Sequence, residues 1–137
     1  MRQINYIAIH CTATGQSATI QSIQKYWREN LGWKSPGYHY IIDQFGTVTN
    51  LLPIEQISNG VAGYNHCTIN IAYIGGVDRK MKAVDNRTMA QKDSMAKLVR
   101  GLKLQFPNAA VVGHRDFPNV KKDCPCFDAS KWYNTIK

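Results

Sequence analysis

"INYIAIH", residues 4–10, is a run of apolar and β-prone side chains that stops on a histidine. A short continuous run of this kind reads as a buried strand rather than a half-exposed one. "AAVVGH", 109–114, repeats the pattern near the other end of the chain and also stops on a histidine. "INIAYIGG", 69–76, is a third buried strand, closed by two glycines. "YHYII" (38–42) and "TVTNLL" (47–52) flank "DQFG", a turn sequence, and predict a hairpin.

Helical periods fill the gaps. Ile20, Ile23, Trp27 and Leu31 recur at helical spacing within 17–32, with Ser17 or Thr19 as start signal and Gly32 as stop. "TMAQ", 88–91, has the capping-box pattern, and Met95, Leu98, Val99 and Leu102 follow on one face until Pro107 ends the helix. "DASKWYNTI", 128–136, predicts a C-terminal helix capped by Asp128. Strands and helices alternate apart from the one hairpin. The expected fold is α/β: a central mixed β-sheet of about five strands flanked by about three helices.

The chain has 137 residues, which points to one domain spanning 1–137. With 44% hydrophobic and 19% charged residues it is globular, not disordered. No apolar run reaches the roughly 20 residues of a membrane span. The first residues, "MRQINYIAIHC", lack the long apolar core and cleavage site of a signal peptide. Synthesis in the cytoplasm is therefore expected. There the four cysteines, Cys11, Cys67, Cys124 and Cys126, serve more often as ligands, catalysts or buried hydrophobes than as disulfides. The net charge of +8 and pI near 9.5 attract polyanions such as nucleic acid, anionic lipid or an anionic wall. No basic block of five residues exists, so a specific nucleic-acid partner would rest on charge alone.

His10 and His114 both end strands, where α/β folds gather functional groups. Cys124 follows His114 by a loop. Two imidazoles and a thiolate are good ligands for Zn²⁺ and leave a fourth tetrahedral position open. A structural finger would instead draw four ligands from short pairs. Histidines at strand ends also serve as packing or hydrogen-bonding residues, and cysteines are usually inert, so the spacing alone leaves those readings open.

Five segments carry a resemblance that covers nearly the whole chain in order: "IAIHCTAT", "GYHYIIDQFGTV", "GYNHCTINIAYIGG", "VVGHRDF" and "KDCPCFD". Together they resemble the zinc-dependent N-acetylmuramoyl-L-alanine amidases of the amidase type 2 family. That family includes phage lysozyme-type amidases and is similar to peptidoglycan recognition proteins. The resemblance implies a mixed sheet flanked by helices with one zinc per chain in a surface groove. It implies His10, His114 and Cys124 as metal ligands, and Tyr38 and Lys122 as catalytic groups. The implied reaction is hydrolysis of the amide between N-acetylmuramic acid and L-alanine in peptidoglycan.

The implied setting is a lytic, endolysin-like monomer that acts on the wall after release and touches anionic wall or membrane surface. A cytosolic muropeptide-recycling amidase and a non-catalytic peptidoglycan-binding protein are the alternatives. No "HExxH" is present, so no glutamate base of that kind is expected.

Asn65 and Trp33 are candidate substrate contacts. His39, next to Tyr38 on an expected strand, should face away from the site, and Tyr40 should share the face of Tyr38. By the same alternation Cys11 should enter the core, and Cys126 should be a packing residue or free thiol. Many members of the family carry a histidine three residues before the "GYN" motif. Here that position is Gly60, which weakens any substrate contact carried over to it.

Overall fold

The computed structural model describes residues 2–137. Its centre is one five-stranded sheet in the order β3-β2-β4-β1-β5. The strands are β1 (Tyr6–Cys11), β2 (Tyr40–Ile42), β3 (Val48–Asn50), β4 (Thr68–Tyr73) and β5 (Ala110–Gly113). All neighbours run parallel except β2 and β3, which form the antiparallel hairpin. Asp43 Oδ1 accepts from the N–H groups of Phe45 and Thr47 and so shapes its turn. Gly46 takes φ +86° there, and a Cβ would press on the Ala90 carbonyl, so glycine suits the position.

Every residue of β4 is buried, as expected of a strand covered on both faces. Truncating Ile71, with no exposed surface, would cost about 2–5 kcal/mol by the usual cost of a core cavity.

Three helices cover the sheet: α1 (Ile20–Glu29), α2 (Met89–Gln105) and α3 (Ala129–Ile136). Thr19 caps α1, its side chain accepting from the Ser22 N–H. In α2, Thr88 and Gln91 form the reciprocal capping box. The Gln91 amide then donates to the carbonyls of Ile42 and Ile74, pinning the helix to the strand ends. Asp128 caps α3. The expected elements are thus present, with strand bounds shifted by up to three residues.

The two faces divide cleanly. Ile7, Ile9 and Cys11 pack with Met95, Val99 and Leu102 of α2 and with Ala129 of α3. Ala8 packs on the opposite face with Val61 and Phe117, while Ile41 meets Ile23 and Trp27 of α1 beside it. Alternation along β1 therefore sends His10 to the face of Ala8 and Cys11 into the core, as its 5% exposure records.

Tyr40 departs from expectation. The strand begins at Tyr40, so Tyr38 and His39 precede it and do not follow its alternation. Tyr40 packs against the α2 face, whereas Tyr38 packs with the α1 cluster.

Candidate metal centre

β1 and β5 are parallel neighbours with Ile9 opposite Gly113. Their C-terminal ends therefore lie side by side: His10 is the penultimate residue of β1, and His114 directly follows β5. His114 opens a 3-10 turn, His114–Asp116, in which Asp116 accepts from the Gly113 N–H at 2.7 Å. The imidazole centroids of His10 and His114 are 4.7 Å apart.

Cys124 reaches the pair from the following loop. The Arg115 N–H donates to the Cys124 carbonyl at 2.9 Å, and Pro125 packs directly on Gly113, where a Cβ would come within 2.7 Å of its ring. One nitrogen of each histidine and the Cys124 sulfur then lie within 4.8 Å of one another.

The protonation states suit a metal. Burial lowers His10 from 6.5 to about 4, with the Lys122 charge adding to the effect. His114 is lowered to about 4 by burial, His10 and Lys122. Both rings are neutral near pH 7 and keep a lone pair. Hydrogen bonds from Cys11, side chain first and then its N–H at 3.1 Å, hold the Cys124 thiol below its ordinary value of 9.0 against the opposing effect of burial. Two neutral imidazoles and a thiol shifted toward thiolate are a donor set that fits Zn²⁺.

A pocket of about 200 Å³ opens over these donors, lined also by Tyr38, Lys122, Trp33 and Asn59. The Tyr38 ring lies 5.2 Å from the His10 ring and edge-on to Trp27, and its hydroxyl donates to the Cys11 carbonyl at 3.3 Å. Burial first, and then the Cys124 sulfur, raise the Tyr38 hydroxyl well above its ordinary value. It is thus a hydrogen-bond donor, not a base. A second cavity of about 760 Å³ continues past Tyr38, Lys122 and Trp33 toward α1.

Of the residues singled out in sequence, His10, His114, Cys124, Tyr38, Lys122 and Trp33 come together here. Asn65 does not line the pocket. Its Oδ1 accepts from the Val61 N–H at 2.7 Å and its carbonyl accepts from Arg2, so it shapes the loop. Asn59 lines the pocket instead.

All four cysteines are free, Cys126 Sγ lying 4.0 Å from Cys11 Sγ and away from the histidines. Asn70 and Ser58, both fully buried behind His10, went unnoticed in sequence. An asparagine inside the otherwise apolar run 69–74 was the available signal, because a buried amide needs partners.

His39 is also fully buried, accepting from the Asn70 N–H through Nδ1 and donating from Nε2 to the Gln56 carbonyl at 2.7 Å. Burial, helped by the nearby Arg2 charge, lowers it from 6.5 to about 4. A histidine depressed in the folded state binds its proton first in the unfolded chain. Stability should therefore be complete above pH 6.5 and fall as pH drops from 6.5 through 4. For His39 this linkage is worth about 3 kcal/mol. Urea unfolding of metal-free protein between pH 7 and 4 measures it, and His39→Asn should flatten that slope. An equal slope in both proteins would remove His39 as the cause.

Comparison with known proteins identifies the family. The family model for N-acetylmuramoyl-L-alanine amidase matches residues 1–127. The chain is 31% identical over 133 residues to the endolysin of Klebsiella phage KP32, covering 96% of this chain and 87% of that one. It is 33% identical over 129 residues to the endolysin of Escherichia phage T7, covering 93% and 83%. Among solved structures, the Ph2119 endolysin of a Thermus scotoductus bacteriophage aligns with TM-score 0.79 at 26% identity, over 91% of this chain and 79% of that one.

The chain belongs to the N-acetylmuramoyl-L-alanine amidase family, and that amidase is its enzyme class.

Proposed function

We propose that the chain is a zinc-dependent lytic amidase, a single catalytic domain over 1–137 that cleaves the bond between N-acetylmuramic acid and L-alanine in peptidoglycan. The observation that carries the zinc reading is the set of three donor atoms within 4.8 Å of one another, facing a pocket. His10, His114 and Cys124 would hold one zinc, which supplies Lewis acidity where the scissile carbonyl sits.

The chain's own groups do the rest. The Lys122 ammonium adds positive charge beside the position where an oxyanion develops, and the Tyr38 hydroxyl, which donates to the Cys11 carbonyl at 3.3 Å here, would have to turn to the substrate to donate in the same space. Trp33 would offer an apolar wall to sugar or peptide. The lytic role is supported by similarity to phage endolysins, and no helix among the described residues is long and apolar enough to cross a membrane. The enzyme would act as a monomer on the wall after release from the cytoplasm. Its net charge of +8 favours contact with anionic wall or membrane surface, without a specific nucleic-acid partner.

The test is incubation with purified sacculi followed by mass spectrometry of the released material. Stem peptides with a free L-alanine amino terminus are the expected product. Release of reducing sugars without such peptides would overturn the reading. Cleavage of soluble muropeptides alone, with sacculi untouched, would move the enzyme to a recycling role.

A further inference from the structure

Behind His10 runs a chain of buried polar groups that the mechanism has not used. His10 Nε2 lies 2.8 Å from Asn70 Oδ1. Asn70 Nδ2 donates to Ser58 Oγ at 2.8 Å, and Ser58 Oγ lies 3.2 Å from His39 Nδ1. His39 Nε2 ends the chain on the Gln56 carbonyl. All four side chains are at most 1% exposed, and none leaves a buried polar atom without a partner.

The directions follow from the ends. The Asn70 N–H can only donate, so His39 Nδ1 accepts and the proton of the neutral ring sits on Nε2 toward the Gln56 carbonyl, with the Arg2 guanidinium 3.1 Å from that same nitrogen. Ser58 Oγ accepts from the Asn70 side-chain amide, and its own proton shares the His39 Nδ1 lone pair with the Asn70 backbone N–H. The remaining Asn70 atom, Oδ1, only accepts, so His10 must carry its proton on Nε2. That leaves Nδ1 as the unprotonated nitrogen of His10, turned toward His114 and Cys124.

Space for the amide depends on one missing side chain. A Cβ at Gly60 would overlap the Asn70 amide carbon, oxygen and nitrogen together. Since Asn70 is enclosed by the sheet and by Ser58, it has no room to yield.

We propose that Asn70 is a positioning residue for the amidase reaction. It fixes His10 in the Nε2–H form and aims Nδ1 into the pocket, and Gly60 is the position that makes room for it. The proposal rests on the reading of His10 as a metal ligand. A buried partner that fixes the tautomer and orientation of a ligating histidine is typically worth about 10–100-fold in metal affinity.

Two measurements test it. In metal-free protein, the ¹H–¹⁵N spectrum of the His rings should show a slowly exchanging Nε2–H for His10, absent in Asn70→Ala. Competition with a chromophoric chelator should then show zinc affinity about 10–100-fold weaker in Asn70→Ala and restored in Asn70→Asp, which keeps the acceptor. Gly60→Ala serves if Asn70→Ala folds poorly. It should weaken zinc similarly in the natural background and have no further effect beside Asn70→Gly.

A His10 ring protonated on Nδ1 overturns the proposal, as does unchanged zinc affinity in folded Asn70→Ala. Natural protein that takes up no zinc overturns the metal reading itself, whatever the ring spectrum shows, and removes the proposed consequence with it.

Discussion

Cys124→Ala is expected to lose zinc and amidase turnover together while keeping the sheet. The sulfur is the one anionic donor of the three, and two neutral imidazoles hold a divalent cation far less well. The loop itself does not depend on the sulfur for its course. Its carbonyl is held by the Arg115 N–H, and Pro125 is packed on Gly113. The structural loss is one acceptor for the Cys11 N–H, worth about 1–3 kcal/mol when left unpaired. Turnover should fall by at least ~10³-fold, the upper cost of losing a single preorganised electrostatic group, because here the whole electrophilic centre goes. Elemental analysis, turnover on a muramoyl-peptide and the thermal midpoint should be measured on the same preparation. One zinc per chain retained in Cys124→Ala would remove the assignment.

Lys122→Ala and Tyr38→Phe should separate chemistry from metal binding. Neither residue is in the donor cluster, yet both line the pocket. Lys122 is exposed, so its loss should shift stability by no more than about 0.5 kcal/mol. Phenylalanine at 38 keeps the ring packed against His10 and Trp27 and removes only the hydroxyl. Each variant is expected to hold zinc and fold normally but to turn over about 10²–10³-fold more slowly, a loss of roughly 3–4 kcal/mol in the transition state. Near-normal turnover in both would leave the proposed mechanism without its protein groups.

Much of this was legible in the residues because the elements carry strong local signals. The capping box at Thr88 and Gln91, the cap at Asp128 and the Asp43 turn each satisfy specific backbone groups, and each sits where sequence rules put it. The strand-end histidines and Cys124 were legible as candidate ligands because few residue types bind soft divalent metals.

What failed depended on geometry beyond the local chain. Tyr40 was expected on the face of Tyr38, but alternation holds only inside a strand, and β2 starts two residues after Tyr38. Asn65 was a candidate substrate contact, and in the fold its side-chain oxygen accepts from the Val61 N–H within its own loop. Asn70 was passed over inside an apolar run. The buried amide signals that partners exist, but Ser58 and His10 come from distant segments, and no local pattern says which residues they are.

The order of strands also governs when the enzyme exists during synthesis. β1 leaves the ribosome first, but its seat is between β4 and β5, and β5 is the last strand made. At about 5–20 residues per second, the interval between translation of His10 and of Cys124 is on the order of ten seconds. Throughout that interval the first donor waits without the full set, since His114 and then Cys124 come only at its end, and the nascent chain has no complete donor cluster. On the proposed site, catalytic competence arrives only once Cys124 has been made.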